Sequence, residues 1–505
     1  MTTQVFEAPE KVSGDNASTS RGLWASIWRS HFYAGFFAAP VLIWLALTGL
    51  VILYAGPLDN VLHRNLNFVD ATPTQVTLAA QVKAVQKVDP EGALTSVTPP
   101  ARGGETTIVS MVEKNGDAVD YFVDPYSGHV QGKQGQGADL VGFARTTHGS
   151  ILPRSWTVPF PTLAGLFGTG ATIQRIEIGE ILVEVFAGWG LVLAVSGVAM
   201  WWPKRVKGQA RRWLPGFGAG RKRWRGVHVT AGVVLAGFLF FSVISGLPWA
   251  SSWGTNWQAV ASKVTPNKAD FWSDAAPNSP VPTMAQLKSR GIQVPWASEL
   301  DQVPSSTLLA GSGISIDQVR AISAKAGMAP DAVLAPPTND TSGSKPTYGS
   351  WVVTNPWPSS LGQQGAIFID QFTGEVLSRS TAGQWGLLQR ITEFGVQTHM
   401  GTQFGIWTRL FMTIGSLLVV VNVVTAIGMW NRRRRGKLGI PRRPADPRIY
   451  KPVGIAMVIL AIIYPLWGLS LLMVLLVDHF VIQRSERLRR FFGMPPRQRS
   501  ASLTT

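Results

Sequence analysis

The sequence predicts an α-helical integral membrane protein carrying two extracytoplasmic α+β modules. It is built as an internal tandem duplication (span, module, span, twice) and ends in one further hydrophobic segment. Three observations predict this. Apolar runs of spanning length recur along the 505 residues, basic residues collect in the linkers between them, and two sets of motifs repeat in the same order. A hydrophobic content of 46% with only 15% charged residues points the same way.

The spans come first. Phe32–Leu53 contains no charge and would reach about 33 Å as a helix, enough to cross a bilayer. Val229–Ala250 and Leu410–Trp430 are similarly uncharged, and Val185–Trp202 is shorter but adequate. The first 30 residues lack the basic start and short apolar core of a signal peptide, so Phe32–Leu53 reads as a retained anchor.

Charge then sets the orientation. Between Trp201 and Gly226 stand Lys204, Arg205, Lys207, Arg211, Arg212, Arg221, Lys222, Arg223 and Arg225, with no acid. The linker after the fourth span opens with Arg432, Arg433, Arg434, Arg435 and Lys437. Positive residues stay on the cytoplasmic side, which places both linkers and the N-terminus inside. The net charge of +17 is thereby explained by topology, and nucleic acid is not expected as a partner.

The resulting order is a cytoplasmic tail (1–30), span 1 (31–55), module 1 (56–175), span 2 (176–202), a basic linker (203–226) and span 3 (227–250). Module 2 (251–405), span 4 (406–430), a second basic linker (431–452), a hydrophobic segment (453–482) and a basic tail (483–505) follow. Pro465 divides the segment at 453–482. A hairpin or interfacial element keeps Arg484, Arg487, Arg489 and Arg490 inside, whereas one kinked span would expose them.

Within the modules, Phe122-Val-Asp124-Pro-Tyr-Ser-Gly128-His-Val130 matches Phe368-Ile-Asp370-Gln-Phe-Thr-Gly374-Glu-Val376. A strand, Asp-x-x-x-Gly and a second strand predict a tight turn with glycine in the left-handed region. Helices are expected ahead of each turn at Leu78–Val88 and Ile316–Ala326, the latter stopping at Gly327. Thr255–Pro304, rich in Pro, Ser, Asn and Trp, reads as mostly irregular structure.

Four histidines fall into two look-alike pairs. His31 and His228 open apolar runs in His31-Phe-Tyr-Ala-Gly35 and His228-Val-Thr-Ala-Gly232, and each is followed 18 residues later by glycine (Gly49, Gly246). His148 and His399 close Phe143-Ala-Arg-Thr-Thr147-His148 and Phe394-Gly-Val-Gln-Thr398-His399. Imidazoles placed by a duplicated helical framework reach one metal from two sides, as a bis-histidine haem requires. Topology pairs His31 with His228 at the cytoplasmic ends and His148 with His399 at the outer ends, giving two b-type haems stacked across the membrane as an electron path. The chain has no cysteine, so thiolate ligands and covalent haem attachment are excluded. A single haem is the nearest variant, and the bland alternative makes these histidines interfacial polar anchors. His63, His129 and His479 take the bland reading.

These motifs, the H-x-x-A-G helices, T-H before the return span and paired V-D-x-x-x-G-x-V turns, resemble the PepSY-associated transmembrane family. The likeness covers about residues 22–435, with Ile369 standing where the pattern has Val. It implies PepSY-like periplasmic modules and a bacterial inner-membrane haem protein that reduces ferric siderophores at the periplasmic face, as long iron-regulated members do. A quinol or a cytoplasmic reductase is the implied electron donor.

Other residues carry open alternatives. Glu177, Glu180 and Glu184 share one helical face by spacing. They are candidates for a proton or substrate cluster, for pairing with Arg175, or for an interfacial packing face. Arg29 and Arg225, each preceded by Trp (Trp28, Trp224), are candidate contacts to haem propionates or ordinary snorkelling anchors. Trp249, Trp253, Trp257, Trp272, Trp351 and Trp357 form either a membrane-facing rim or a stacking platform. The rival functions are a membrane-anchored peptide-binding or regulatory protein and a transporter for iron or a small solute.

Overall fold

The computed structural model describes residues 13–202, 219–268, 270–271, 279–281, 283–306, 312–342, 346–433 and 451–492. The basic residues Lys204, Arg205, Lys207, Arg211, Arg212, Arg434, Arg435 and Lys437, together with Trp272, lie outside them. The described chain forms a helical unit (1–46, 181–243 and 414–505) and a sheet unit (47–180 and 244–413).

The helices and strands follow one another along the chain in the order below. The long helix α1 (Ser13–Leu53) leads into α2 (Ala55–Leu62), α3 (Arg64–Asn67) and α4 (Leu78–Val88), then into strands β1 (Ala93–Thr98), β2 (Thr107–Val112), β3 (Ala118–Val123) and β4 (Val130–Gly135). Next come α5 (Leu140–Gly149), β5 (Thr157–Pro161), α6 (Ala164–Phe167), β6 (Ile173–Glu177) and α7 (Ile178–Trp201). The second half opens with α8 (Arg221–Gly246), α9 (Ser251–Val264), β7 (Asp270–Phe271), α10 (Met284–Ser289), α11 (Ile316–Lys325) and β8 (Val333–Ala335). It continues through β9 (Asn339–Asp340), β10 (Thr347–Tyr348), β11 (Trp351–Asn355), β12 (Gly365–Ile369), β13 (Val376–Thr381), α12 (Leu387–His399) and α13 (Ile406–Arg433), and ends with α14 (Lys451–Ile463), α15 (Pro465–Val477) and α16 (Glu486–Phe491).

Among the described residues, five stretches are long and apolar enough to cross a membrane: Leu23–Leu53, Ile178–Trp201, Lys222–Trp249, Ile406–Arg433 and Pro465–Ile482. Backbone groups in hydrocarbon must bond internally, which is why these runs are helices. The protein is a multi-pass membrane protein. At the C-terminus, Tyr464 and Pro465 break the apolar segment, since proline cannot continue the donor ladder. A half the length of Lys451–Ile463, 13 residues, is too short to span. The second half instead continues through a π-turn at Asp478–Ile482 and reaches 18 residues. Trp467 is fully buried against Gly188 of α7, where an added Cβ would stand 2.7 Å from its ring, and the Tyr464 hydroxyl donates to the Glu184 carbonyl at 2.9 Å.

The two modules expected from the sequence share one nine-stranded antiparallel sheet of order β4-β3-β2-β1-β8-β11-β12-β13-β7. The join is β1 against β8, with Val97 opposite Leu334. Helices α4 and α11 lie over one face, and Val82, Val85, Val109, Val319, Val353 and Ile367 belong to a single core. Asp317 in the first turn of α11 accepts from the Leu78 and Ala79 amides at 2.7 and 3.2 Å, so it caps its sister helix α4. Ser315 and Gln318 cap α11 itself reciprocally. Strand β12 buries both faces, with Ala366 and Phe368 packing into a second core beside Met284 and Leu287.

Both predicted turns are present. Asp124 Oδ1 accepts from the Tyr126 amide at 2.8 Å and Asp370 Oδ1 from Phe372 at 2.8 Å, while Gly128 and Gly374 take φ of 76° and 75°. The stretch expected to be irregular instead opens with α9. Trp257 and Ala261 stand one turn apart and pack with Trp296 and Trp385, a helical spacing that the local Ser and Asn content obscured.

Candidate functional site

The four repeated histidines come together in the pairs the sequence suggested. Within the helical unit, the ring centres of His31 on α1 and His228 on α8 are 6.4 Å apart with ring planes at 85°. Within the sheet unit, His148 on α5 and His399 on α12 are also 6.4 Å apart, with planes at 69°. All four side chains are only half-buried.

That separation has chemical meaning. Two imidazoles bound from opposite sides to one metal, each nitrogen at about 2.0–2.1 Å, have ring centres roughly 6.3 Å apart. A direct hydrogen bond between the rings at about 2.9 Å would bring the centres to roughly 5 Å. Edge-to-face packing alone also covers 6.4 Å, so the decision falls to the other ring nitrogens. Each Nδ1 contacts a hydroxyl: His31 with Ser196 at 2.9 Å, His228 with Thr425 at 3.2 Å, His148 with Thr48 at 2.9 Å and His399 with Ser245 at 3.1 Å. The Thr425 hydroxyl donates to the Val421 carbonyl at 2.7 Å, and the Ser196 hydroxyl donates to the Val192 carbonyl. Having given its single hydrogen away, such a hydroxyl accepts from the imidazole. For His31 and His228 the proton then sits on Nδ1, which makes Nε2 the acceptor nitrogen of each ring.

Glycines complete the seats. A Cβ on Gly49 would stand 3.3 Å from His148 Cε1, one on Gly246 3.2 Å from His399 Cε1, and one on Gly197 3.4 Å from His31 Cε1. Thr48-Gly49, Ser245-Gly246 and Ser196-Gly197 are therefore doublets, one residue holding Nδ1 and the next leaving room for the ring. The repeated glycine 18 residues after each span histidine is the seat of a different histidine. The hydroxyls escaped the sequence reading, although Thr48 and Ser245 share a 17-residue offset from His31 and His228.

The remaining candidates separate. Glu177 ends β6, pairs opposite Thr157, and does not belong to helix α7, so the three carboxylates do not share one helical face. Its partner is Arg154 at 3.9 Å, whereas Arg175 Nε donates to Thr157 at 2.9 Å. Glu180 is half-buried and Glu184 buried on α7. Arg29 lies over the Tyr33 ring at 5.6 Å, and Arg225 is exposed. Trp28 and Trp224 stack under arginines of α13: Arg433 stands 4.9 Å over Trp28 and Arg432 4.8 Å over Trp224.

Of the three histidines given the bland reading, His63 stands beside two carboxylates. Asp59, His63 and Asp139 offer ligand atoms within 4.8 Å of one another, but Asp59 bonds His63 at 2.8 Å and Asp139 caps α5 through Gly142 at 2.6 Å. Two depressions in the sheet unit, about 440 and 280 Å³, are lined by polar side chains including Glu113 and Lys133 in the first and Asp301 and Arg379 in the second. In the first, burial pushes the Tyr121 phenol up to about 12, helped by its bond to Glu113. The four histidines line neither depression.

The PepSY-associated TM region model matches residues 28–433. The chain belongs to that family. The match spans both histidine pairs and the whole shared sheet of this PepSY-associated membrane protein. A comparison with curated proteins finds no match.

Proposed function

We propose that this PepSY-associated protein is a di-haem b electron-transfer protein of the bacterial cytoplasmic membrane that reduces ferric siderophores at the periplasmic face. The observation that carries the reading is the twice-repeated 6.4 Å spacing of imidazoles whose Nδ1 atoms are already engaged. The duplicated order of seats (His31 with Thr48, His228 with Ser245) supports a tandem duplication in which each half supplies one ligand to each haem. With the basic linkers inside, His31 and His228 serve the cytoplasmic side, and His148 and His399 the periplasmic side.

The residues present fit a non-covalent haem: His31 with His228 and His148 with His399 would hold it, with hydroxyls behind the rings and the rings half-buried. Bound there, b-type haem supplies a reversible one-electron Fe(III)/Fe(II) couple. The chain's own work is to keep the proton on Nδ1 of His31 and His228 and to fix the ring directions of all four histidines. Overall, a quinol or cytoplasmic reductase gives up an electron and the ferric chelate takes it. Hard oxygen ligands hold Fe(II) less tightly than Fe(III), so the iron leaves. Arg29 is the better placed of the two arginines to meet a propionate, Arg225 being exposed.

Reduced-minus-oxidised absorbance and haem content per chain test the reading. We expect low-spin b-type bands, with His31→Ala and His148→Ala each removing about half of the haem. A folded, haem-supplied preparation without a Soret band would end it.

A further inference from the structure

We infer that Ser196, Thr425, Thr48 and Ser245 are positioning residues that hold the two imidazoles of each pair in crossed planes, which makes both haem sites highly anisotropic low-spin centres. This rests on the haem reading above. Its own basis is the geometry of the chain.

An imidazole bound through Nε2 can still turn about the metal–nitrogen axis. Nδ1 lies off that axis, so a hydrogen bond to Nδ1 stops the rotation at one angle. Within each pair the two stops come from different helices. Ser196 on α7 holds His31 and Thr425 on α13 holds His228, at 2.9 and 3.2 Å. Thr48 on α1 holds His148 and Ser245 on α8 holds His399, at 2.9 and 3.1 Å. The rings consequently cross at 85° and 69° instead of lying parallel. The doublet glycines reinforce the angle, because Gly49, Gly197 and Gly246 let the ring edge rest on the helix.

Crossed planes have an electronic consequence. Each imidazole donates π density into the iron d orbital perpendicular to its own plane. Parallel rings load one orbital and split the pair; crossed rings load both and leave them nearly degenerate. Near-degeneracy in the oxidised low-spin state produces a single broad low-field EPR feature in place of a resolved rhombic spectrum.

The test is EPR of the oxidised, full-length protein in detergent, with haem content measured in parallel. The wild type is expected to show only the broad low-field feature. Thr48→Val with Ser245→Ala should shift or convert about half of it while leaving the other half untouched, and Ser196→Ala with Thr425→Val should act on the other half. Thr48→Ser, which keeps the hydroxyl, should preserve the wild-type signal even where Thr48→Val loses haem. A rhombic spectrum from the wild type, or an unshifted signal in haem-loaded hydroxyl variants, overturns the inference and leaves the haem reading standing. Absence of any low-spin haem in folded protein overturns the haem reading itself.

Discussion

Gly49→Ala separates a ligand seat from an ordinary helix position. Alanine is the better helix former by about 1 kcal/mol, so on backbone grounds alone α1 should be stabilised. The new methyl would lie 3.3 Å from His148 Cε1. Carbon atoms pack best at about 3.5–4.0 Å, so the imidazole must retreat by roughly 0.2–0.7 Å. A metal–nitrogen bond tolerates about 0.2 Å, and the Nδ1 bond to Thr48 resists the same movement. Half of the haem should therefore be lost or spectrally shifted while the thermal transition of the protein is unchanged or raised. Gly246→Ala, with its methyl 3.2 Å from His399 Cε1, should do the same. Gly237→Ala on α8 is the control, because nothing lies within 4 Å of its new methyl. Full haem content and unmoved bands in Gly49→Ala, or equal loss in Gly237→Ala, would refute the reasoning.

Three further outcomes follow from particular contacts. Burial raises the Glu393 carboxyl from 4.5 to about 7, against bonds from Gln364 and the Ala297 amide, with Glu299 and Lys288 nearby. The folded state holds its proton more tightly than the unfolded chain, so the melting temperature should fall as pH rises from about 4.5 through about 7, and Glu393→Gln should flatten that slope. Asp317→Ala removes the shared cap of α4 and should cost about 1–2 kcal/mol, visible as faster amide exchange at Leu78 and Ala79. Gly188→Leu drives a side chain into Trp467, 2.7 Å from a Cβ at that site, and should free the C-terminal helices to added protease without altering the spectrum of the His148/His399 site.

What was legible in the sequence is what local chemistry dictates. The spans needed only uninterrupted apolar length. The two turns needed only Asp and Gly at fixed offsets, and α4 was bounded at Leu78 and Val88 by apolar spacing. The errors arose where a distant partner decides. Glu177 keeps helical spacing with Glu180 and Glu184, but pairing with Thr157 draws it into a strand. The fusion of two modules through Val97 and Leu334 joins residues more than two hundred positions apart, and neither strand announces its partner. For the site, the histidines and the repeated glycines were readable, but their connection was not. A helix repeat aligns Gly49 with Gly246, yet only the fold shows that each faces the histidine of another element.

The doublets also bear on a rival account of those glycines. Glycine in a membrane helix commonly lets a neighbouring helix approach, and small residues in spans need no cofactor to explain them. Gly188 and Gly415 fit that account, with Trp467 and Phe238 side chains packed over them. Gly49, Gly246 and Gly197 do not, because what lies over each is an imidazole Cε1, and the residue immediately before is a hydroxyl bonded to the same ring. Ser, Thr and Gly are all weak helix formers, so three such pairs inside spans cost helix stability that packing alone does not return. The fourth histidine supplies the contrast. Its ring is held by the Thr425 hydroxyl at 3.2 Å, and the residue after that hydroxyl is Ala426 in place of glycine. Three rings, each resting on a glycine and held by the hydroxyl just before it, are placed more closely than helix packing alone asks for.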